Sequence, residues 1–188
     1  MTITTPHATA LSALAGRRTV DAAPAPILRA VTSSEREAVA SFFSELSPQS
    51  AFLRFFTGGF RVTDAALDTL MCRTTVGRAF VAVEEHRVVG HAMWCATRHG
   101  PQRAEIAFVV AEDRRGQGLG HRLTRLAITD AVRGGTQEIE ATVLAANWGA
   151  RRLITRLLPC ATSSVDHGEI SYLARPDRGW GTCLPAAA

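Results

Sequence analysis

The sequence contains no lysine, so all 21 of its strongly basic side chains are arginine. A nucleotide-binding loop of the Walker type needs a lysine next to a serine or threonine, which excludes that class of phosphate site. The arginines are scattered along the chain, and the formal net charge is only +4 at pH 7. Because nucleic-acid binding needs a clustered basic surface, we do not expect a nucleic-acid partner.

Long apolar runs and paired cysteines are missing as well. No stretch approaches the roughly 18 apolar residues of a membrane-spanning helix, and the N-terminal region lacks the apolar core of a secretory signal. We therefore expect a cytoplasmic protein without a membrane partner. Cys72, Cys95, Cys160 and Cys183 lie far apart in sequence and form no Cys-x-x-Cys pair, which argues against a zinc site and a disulfide framework. The six histidines show no metal-ligand spacing either, so no metal is expected.

The pattern of apolar and turn-forming residues predicts one domain with a tail at each end. Residues 1–26, rich in Ala, Thr, Ser and Pro, predict a disordered tail; residues 27–175 predict the domain and residues 176–188 a C-terminal tail. Within the domain the order is a strand, three helices, three strands, a helix, a strand, a helix and a hairpin. This order predicts the α/β (α+β) class, with the three consecutive strands forming an antiparallel meander.

Local signals predict where the helices begin. Ser34 and Glu37 have the spacing of a capping box before the first helix. Ser47, followed by Pro48, predicts the start of the second helix, and Thr63 predicts the start of the third.

A glycine-rich segment, Arg114-Arg115-Gly116-Gln117-Gly118-Leu119-Gly120, joins an apolar run to an amphipathic run. A strand, a turn and a helix start therefore follow one another directly. Glycines accept positive φ and let a ligand approach the backbone, while the free N–H groups of a helix start favour an anion. The segment predicts a phosphate-binding loop.

Arg115-x-x-Gly118-x-Gly120 resembles the acetyl-CoA pyrophosphate loop of the GNAT superfamily of N-acetyltransferases, and the order of elements resembles the GNAT fold. The resemblance implies a mixed, mostly antiparallel central sheet flanked by helices, with acetyl-CoA as cosubstrate. Asn147 matches the asparagine-bearing helix that contacts CoA, although a helix cap is an equal alternative. The residues implied in acetyl-CoA binding are Phe108, Val109, Val110, Arg115, Gly116, Gln117, Gly118, Leu119, Gly120 and Asn147.

Two further segments, Leu46-Ser47-Pro48-Gln49-Ser50 and Leu53-Arg54-Phe55-Phe56, resemble the catalytic domain of Pat-type bacterial protein lysine acetyltransferases. This resemblance implies a protein substrate that carries an acceptor lysine, for example an acyl-CoA synthetase. A small-molecule amine, such as an aminoglycoside or a biosynthetic intermediate, is the alternative acceptor. A CoA-binding module without turnover is the alternative from another class. A monomer and a homodimer are both compatible with the sequence.

Glu105 is the only charged residue between Arg103 and Glu112. A lysine amine, with a pKa of about 10.4, must lose a proton before it attacks a thioester. In Pat-type enzymes a glutamate at this place in the strand is the general base, and backbone N–H groups near Val109 and Val110 are implied as donors to the oxyanion. The alternative is a solvent-facing glutamate without a role.

Overall fold

A computed structural model describes residues 25–176 and the two-residue strand Cys183–Leu184. The predicted N-terminal tail, apart from its last two residues, and most of the predicted C-terminal tail lie outside the described residues. The helices are α1 (Arg36–Ser44), α2 (Pro48–Phe55), α3 (Asp64–Met71), α4 (Leu119–Arg133) and α5 (Trp148–Leu157). The strands are β1 (Ile27–Ala30), β2 (Gly77–Glu84), β3 (Arg87–Thr97), β4 (Gly100–Val110), β5 (Glu138–Leu144), β6 (Thr162–Asp166), β7 (Glu169–Pro176) and β8 (Cys183–Leu184).

Within the described part of the chain, the strands form one sheet in the order β1-β2-β3-β4-β5-β7-β6, and β8 pairs with β7. Every pair of neighbours is antiparallel except β4 and β5, which run parallel. The predicted mixed, mostly antiparallel sheet and its β2-β3-β4 meander are therefore confirmed.

The parallel pairing of β4 with β5 is short. It consists of Arg103 with Glu138, Ala104 with Ile139 and Glu105 with Glu140, although β4 continues to Val110 and β5 to Leu144. Beyond Glu105 the two strands no longer pair, and this opening in the sheet positions the candidate site.

Helices cover both faces of the sheet. On one face, the ring of Phe43 in α1 lies 5.1 Å from the ring of His91, and His91 Nε2 donates to the carbonyl of Leu70 in α3 over 2.9 Å. On the opposite face, Trp94 Nε1 donates to Asp130 of α4 over 2.8 Å. The amphipathic run predicted after the glycine-rich segment is α4, and its apolar side is buried there, at Leu119, Leu123, Ala127 and Ala131. No helix among the described residues is long and apolar enough to cross a membrane.

The helix caps correct one prediction. Ser47 and Thr63 cap α2 and α3 as predicted, each accepting from a backbone N–H three residues later. The capping box predicted at Ser34 and Glu37 is wrong, because Thr32 and Glu35 form it, before a 3-10 turn that precedes α1. Glu35 is held there because its carboxylate also accepts from Arg29 over 2.6 Å.

Candidate functional site

A cavity of about 950 Å³ opens where β4 and β5 separate, between the glycine-rich loop, α2 and the start of α5. Nearly all of the predicted site residues line it. These are Glu105, Phe108, Val109, Val110, Arg115, Gly116, Gly118, Leu119, Gly120 and Asn147. Gln117 does not line it, since its side-chain amide donates to the carbonyl of Asp113 over 3.1 Å.

The loop has the backbone geometry of an anion site. Gly116 and Gly118 have φ values of 74° and 78°, and a Cβ at either residue would have no atom of the described part of the chain within 4 Å. Gly118 is the N-cap of α4, so the first N–H groups of that helix are open to a ligand. These residues fit a diphosphate, which needs close backbone approach and several N–H donors.

Gly120 serves a different purpose. A Cβ there would lie 3.1 Å from Leu153 Cδ1 and 3.4 Å from Val110 Cγ2. This glycine therefore lets the first turn of α4 pack closely against α5 and the end of β4.

Arg115 joins the loop to α2. Its guanidinium donates to Ser50 Oγ over 2.8 Å and to the carbonyl of Val110 over 3.4 Å. Ser50 Oγ in turn donates to Glu112, and hydrogen bonds from Ser47 and Ser50 hold the pKa of Glu112 below its usual value. The sequence alone did not indicate this network, because its members are distant in the chain.

The open edge of β4 presents backbone groups to the cavity. Ala111 N donates to the carbonyl of Val89 in β3 over 3.0 Å. Because donors alternate along an antiparallel strand, the N–H of Val109 also points to β3, whereas those of Phe108 and Val110 point to the opening. Of the two residues predicted as oxyanion donors, Val110 therefore has its N–H on the open side and Val109 does not.

Glu105 lies at the base of the opening. It is exposed, it lines the cavity, and no side chain or backbone N–H among the described residues is hydrogen-bonded to its carboxylate. It is paired with Glu140 on β5 and with Cys95 on β3. A carboxylate that is free of hydrogen bonds and open to the cavity can transfer a proton to or from a group bound there.

Arg54 places a cation in the same cavity. Its Nε is buried and has no hydrogen-bond partner among the described residues. One terminal nitrogen lies 3.7 Å from Met93 Sδ, and the guanidinium lies 4.9 Å from the centre of the Phe55 ring. Burial lowers the pKa of Arg54 to about 10, against the opposing effect of the Glu105 charge, so the side chain stays protonated at neutral pH. From the sequence, Arg54 is recognised only as part of the Leu53–Phe56 motif and is not predicted as a site residue.

Asn147 is both a helix cap and a residue of the cavity wall, the two alternatives that the sequence left open. Its Oδ1 accepts from Ala150 N over 3.1 Å and caps α5, and the residue lines the cavity as well. Next to it, Trp148 is 72% exposed and carries the guanidinium of Arg151 over its ring at 4.2 Å. Ile154, further along α5, is fully buried in the core.

The phenylalanines of the α2 region divide between core and cavity. Phe43 is buried, whereas Phe55 and Phe56 line the cavity. Phe55 stacks on Phe60 with ring centres 3.5 Å apart, and Phe52 is 44% exposed. These phenylalanines thus form part of the core and one wall of the cavity.

Three features define the class of this protein as an acyltransferase fold of the GNAT type. They are the glycine loop, the two parallel strands that separate, and the short capped helix α5. The sequence model of the Acetyltransferase (GNAT) family matches residues 43–158. The chain belongs to this family.

Individual relatives agree with that assignment. The chain is 34% identical over 70 residues to the Acetyltransferase Pat of Mycolicibacterium smegmatis, a match that covers 37% of this chain and 21% of that protein. The chain thus spans about a fifth of the length of this relative.

Two solved structures share the fold. The GNAT domain of S. lividans PAT superposes with a TM-score of 0.70 at 20% identity, covering 79% of this chain and 89% of that domain. The putative acetyltransferase yncA from Salmonella typhimurium, solved with its cofactor acetyl-CoA, superposes with a TM-score of 0.62 at 18% identity, covering 88% and 100%. The predicted resemblance to the Pat-type domain is confirmed.

Proposed function

We propose that this protein transfers an acetyl group from acetyl-CoA to the lysine side chain of a protein, with Glu105 as general base. Membership of the acetyltransferase family supports the reaction class. The observation that carries the proposal is the position of Glu105, at the last β4–β5 pair and beside the open strand edge of Phe108 and Val110.

The cavity matches the parts of acetyl-CoA. Gly116, Gly118 and the first turn of α4 would hold the pyrophosphate, because they offer positive-φ glycines and a helix N-terminus. The open edges of β4 and β5 would hold the extended arm, which leads toward Glu105. When bound, acetyl-CoA supplies the thioester carbonyl that the amine attacks.

The chain's own groups would move the proton and stabilise charge. A lysine amine with a pKa of about 10.4 is protonated at neutral pH, so Glu105 would accept its proton directly or through one water molecule. The N–H groups of Phe108 and Val110 would donate to the carbonyl oxygen as negative charge develops. The CoA thiol, with a pKa of about 8.5, would leave as a thiolate without a general acid. The helix α5 contains no tyrosine that could protonate it, and its Ile154 is buried.

The choice of acceptor depends on the wall of the cavity that the end of α2 forms. Phe55 and Phe56 make this wall apolar, and Glu45 is the only acid between Phe42 and Phe60. A wall of this kind suits a protein surface better than a small polycation. The similarity to Acetyltransferase Pat also supports a protein acceptor, for example an acyl-CoA synthetase.

A small-molecule amine is the second candidate acceptor. The pairing of Glu105 with Glu140 places two acidic residues next to each other at the opening, which would attract a polyamine or an aminoglycoside. A CoA-binding module without turnover is disfavoured, because it would not need a free carboxylate at the end of the cavity. A single domain at residues 27–175, a cytoplasmic location and a monomeric or homodimeric state stay predictions.

The test is a thiol-release assay with acetyl-CoA and a panel of acyl-CoA synthetases, polyamines and aminoglycosides. Mass spectrometry then locates the added acetyl group, and because this chain has no lysine, every acetyl-lysine must come from the acceptor. We expect transfer to a synthetase lysine, and Glu105→Gln to lower turnover by ~10² or more. Glu37→Gln, at an exposed position on α1, is the control. Turnover on an aminoglycoside with none on any protein would overturn the acceptor, and unchanged turnover in Glu105→Gln would overturn the base.

A further inference from the structure

Two cysteines that lie far apart in sequence meet in the fold. Cys72 Sγ and Cys95 Sγ are 2.8 Å apart, although 23 positions separate them. Both are free thiols in the structure, Cys72 buried and Cys95 half-buried.

Backbone structure holds both residues in place. Cys72 ends α3 in the left-handed conformation, with φ of 32°, and its N–H donates to the carbonyls of Asp68 and Thr69. Cys95 lies within β3, paired with Gly77 on one side and with Glu105 on the other. The two sulfurs are therefore presented by a capped helix end and a central strand.

Gly77 leaves the room that the sulfurs occupy. A Cβ at this position would lie 2.6 Å from Cys72 Sγ and 3.0 Å from Cys95 Sγ. The carbonyl of Trp94 lies 3.7 Å from Cys72 Sγ and closes the same small space. With three elements around them, the thiols face each other, and Cys95 is partly exposed to solvent.

The two thiols differ in acidity. The hydrogen bond from Cys95 lowers the pKa of Cys72, and the same contact, followed by burial, raises the pKa of Cys95. The thiolate of the pair therefore forms on Cys72, and the proton stays on Cys95. A thiolate is the form that reacts with an oxidant.

We propose that Cys72 and Cys95 form an oxidisable dithiol, a modification site that a hydroperoxide closes into an intramolecular disulfide. In the first step Cys72 sulfur attacks one peroxide oxygen, the O–O bond breaks, and a sulfenic acid and water (or an alcohol) form. In the second step Cys95 sulfur attacks Cys72 sulfur, the S–O bond breaks, and water leaves with the proton of Cys95. Two thiols are oxidised by two electrons, and one hydroperoxide is reduced.

The position of the pair gives the crosslink a structural consequence. It would join the end of α3 to β3, the strand that neighbours the strand of Glu105. Because a crosslink restricts the unfolded chain, the oxidised protein should unfold at a higher temperature than the reduced one.

The test uses the arginine-only composition of the chain. Trypsin cleavage after arginine places the four cysteines in separate peptides: Cys72 in residues 62–73, Cys95 in 88–98, Cys160 in 157–178 and Cys183 in 179–188. The folded protein is treated with hydrogen peroxide, quenched with an alkylating reagent and digested. We expect a linked pair of peptides 62–73 and 88–98 that a reductant separates.

A matched variant removes the competing thiols. The double variant Cys160→Ser with Cys183→Ser keeps only the proposed pair and should form the same link, with a raised unfolding temperature that a reductant reverses. Full alkylation of both peptides after peroxide treatment, a link to another cysteine, or a link that forms only in urea-unfolded protein would overturn the proposal. These readouts depend on thiol chemistry alone and are independent of the acetyltransferase proposal.

Discussion

Glu105 and Glu140 are paired at the last position where β4 and β5 run together, and the cavity opens immediately beyond them. Paired residues on neighbouring strands project from the same face of a sheet. In the proposed reaction Glu105 would accept the proton, and Glu140, whose carboxylate lies 4.0 Å from Arg103, would add negative charge where the cationic amine arrives.

The first prediction separates these two roles. Glu140→Gln should raise the KM for the amine several-fold and leave the KM for acetyl-CoA unchanged, because it removes a charge that the amine approaches. Glu105→Gln should instead lower kcat by ~10². Steady-state kinetics with each substrate varied in turn measure both. If Glu140→Gln lowers kcat as strongly as Glu105→Gln does, the division of roles is wrong.

The second prediction concerns the glycine loop. Saturating acetyl-CoA at a hundredfold excess over its dissociation constant should stabilise the folded protein by about 2.7 kcal/mol. Gly118→Ala should reduce this stabilisation strongly, since a Cβ would stand where the ligand approaches. Gly135→Ala is a matched control, because Gly135 also has positive φ and open space around its Cβ, at the other end of α4. Equal ligand-induced shifts in the two variants would contradict a loop site.

Much of this fold was predictable because its signals are local. Two examples are the helix caps at Ser47 and Thr63 and the apolar side of α4, which each depend on residues close in sequence. The capping box was placed two residues late because two overlapping spacings satisfy the pattern. Only the contact of Glu35 with Arg29, from the preceding strand, favours one of them.

The site was predictable only in part. The positive φ of the loop glycines could be predicted because it follows from the residue type. The separation of β4 from β5 could not, since it depends on pairing between strands that are distant in the chain. The same holds for the Cys72–Cys95 contact, which a helix end and a strand create together. For Val109, the direction of the N–H depends on the β3 register, and the sequence does not specify it.

The third prediction concerns His91. This side chain is fully buried, and burial, followed by the charge of Arg54, lowers its pKa to about 3. In the unfolded state the histidine has a pKa of about 6.5 and therefore binds the proton first. The stability is thus fully present above that pH and is lost as pH falls toward 3. The loss approaches about 1.4 kcal/mol per pH unit.

His91→Gln should flatten this acid-side loss, because the amide keeps a donor for Leu70 and does not titrate. Urea unfolding between about pH 8 and pH 5 measures the slope for both proteins. An equal slope in the variant would show that another group accounts for the pH dependence.

The fourth prediction concerns Glu138, which joins two strands. Hydrogen bonds from Arg175 at 2.6 Å and Arg103 at 2.7 Å lower the pKa of its carboxyl. Its stabilising contribution is therefore present above the unfolded pKa of ~4.3 and is lost as pH falls through the lower folded value. Glu138→Gln should cost about 1–2 kcal/mol at neutral pH, and the difference from wild type should shrink in acid.

Glu45→Gln is the control for that measurement. Glu45 is an exposed residue 3.4 Å from Arg87, and surface pairs of this kind contribute less than about 1 kcal/mol. Equal destabilisation by both substitutions would mean that the two arginines do not hold Glu138 as the structure indicates.

The last prediction tests the acceptor wall. Phe56 lines the cavity and is the C-cap residue of α2, whereas Phe52, one turn earlier, is 44% exposed and does not line it. If a protein docks over this wall, Phe56→Ala should raise the KM for the protein substrate several-fold and leave the KM for acetyl-CoA nearly unchanged, since burial of one aromatic ring at an interface commonly contributes more than about 1 kcal/mol. Phe52→Ala should change the KM for the protein substrate less, and circular dichroism checks that both variants are folded. An equal rise in both KM values for Phe56→Ala would place the ring against the cosubstrate and would contradict an acceptor wall at this residue.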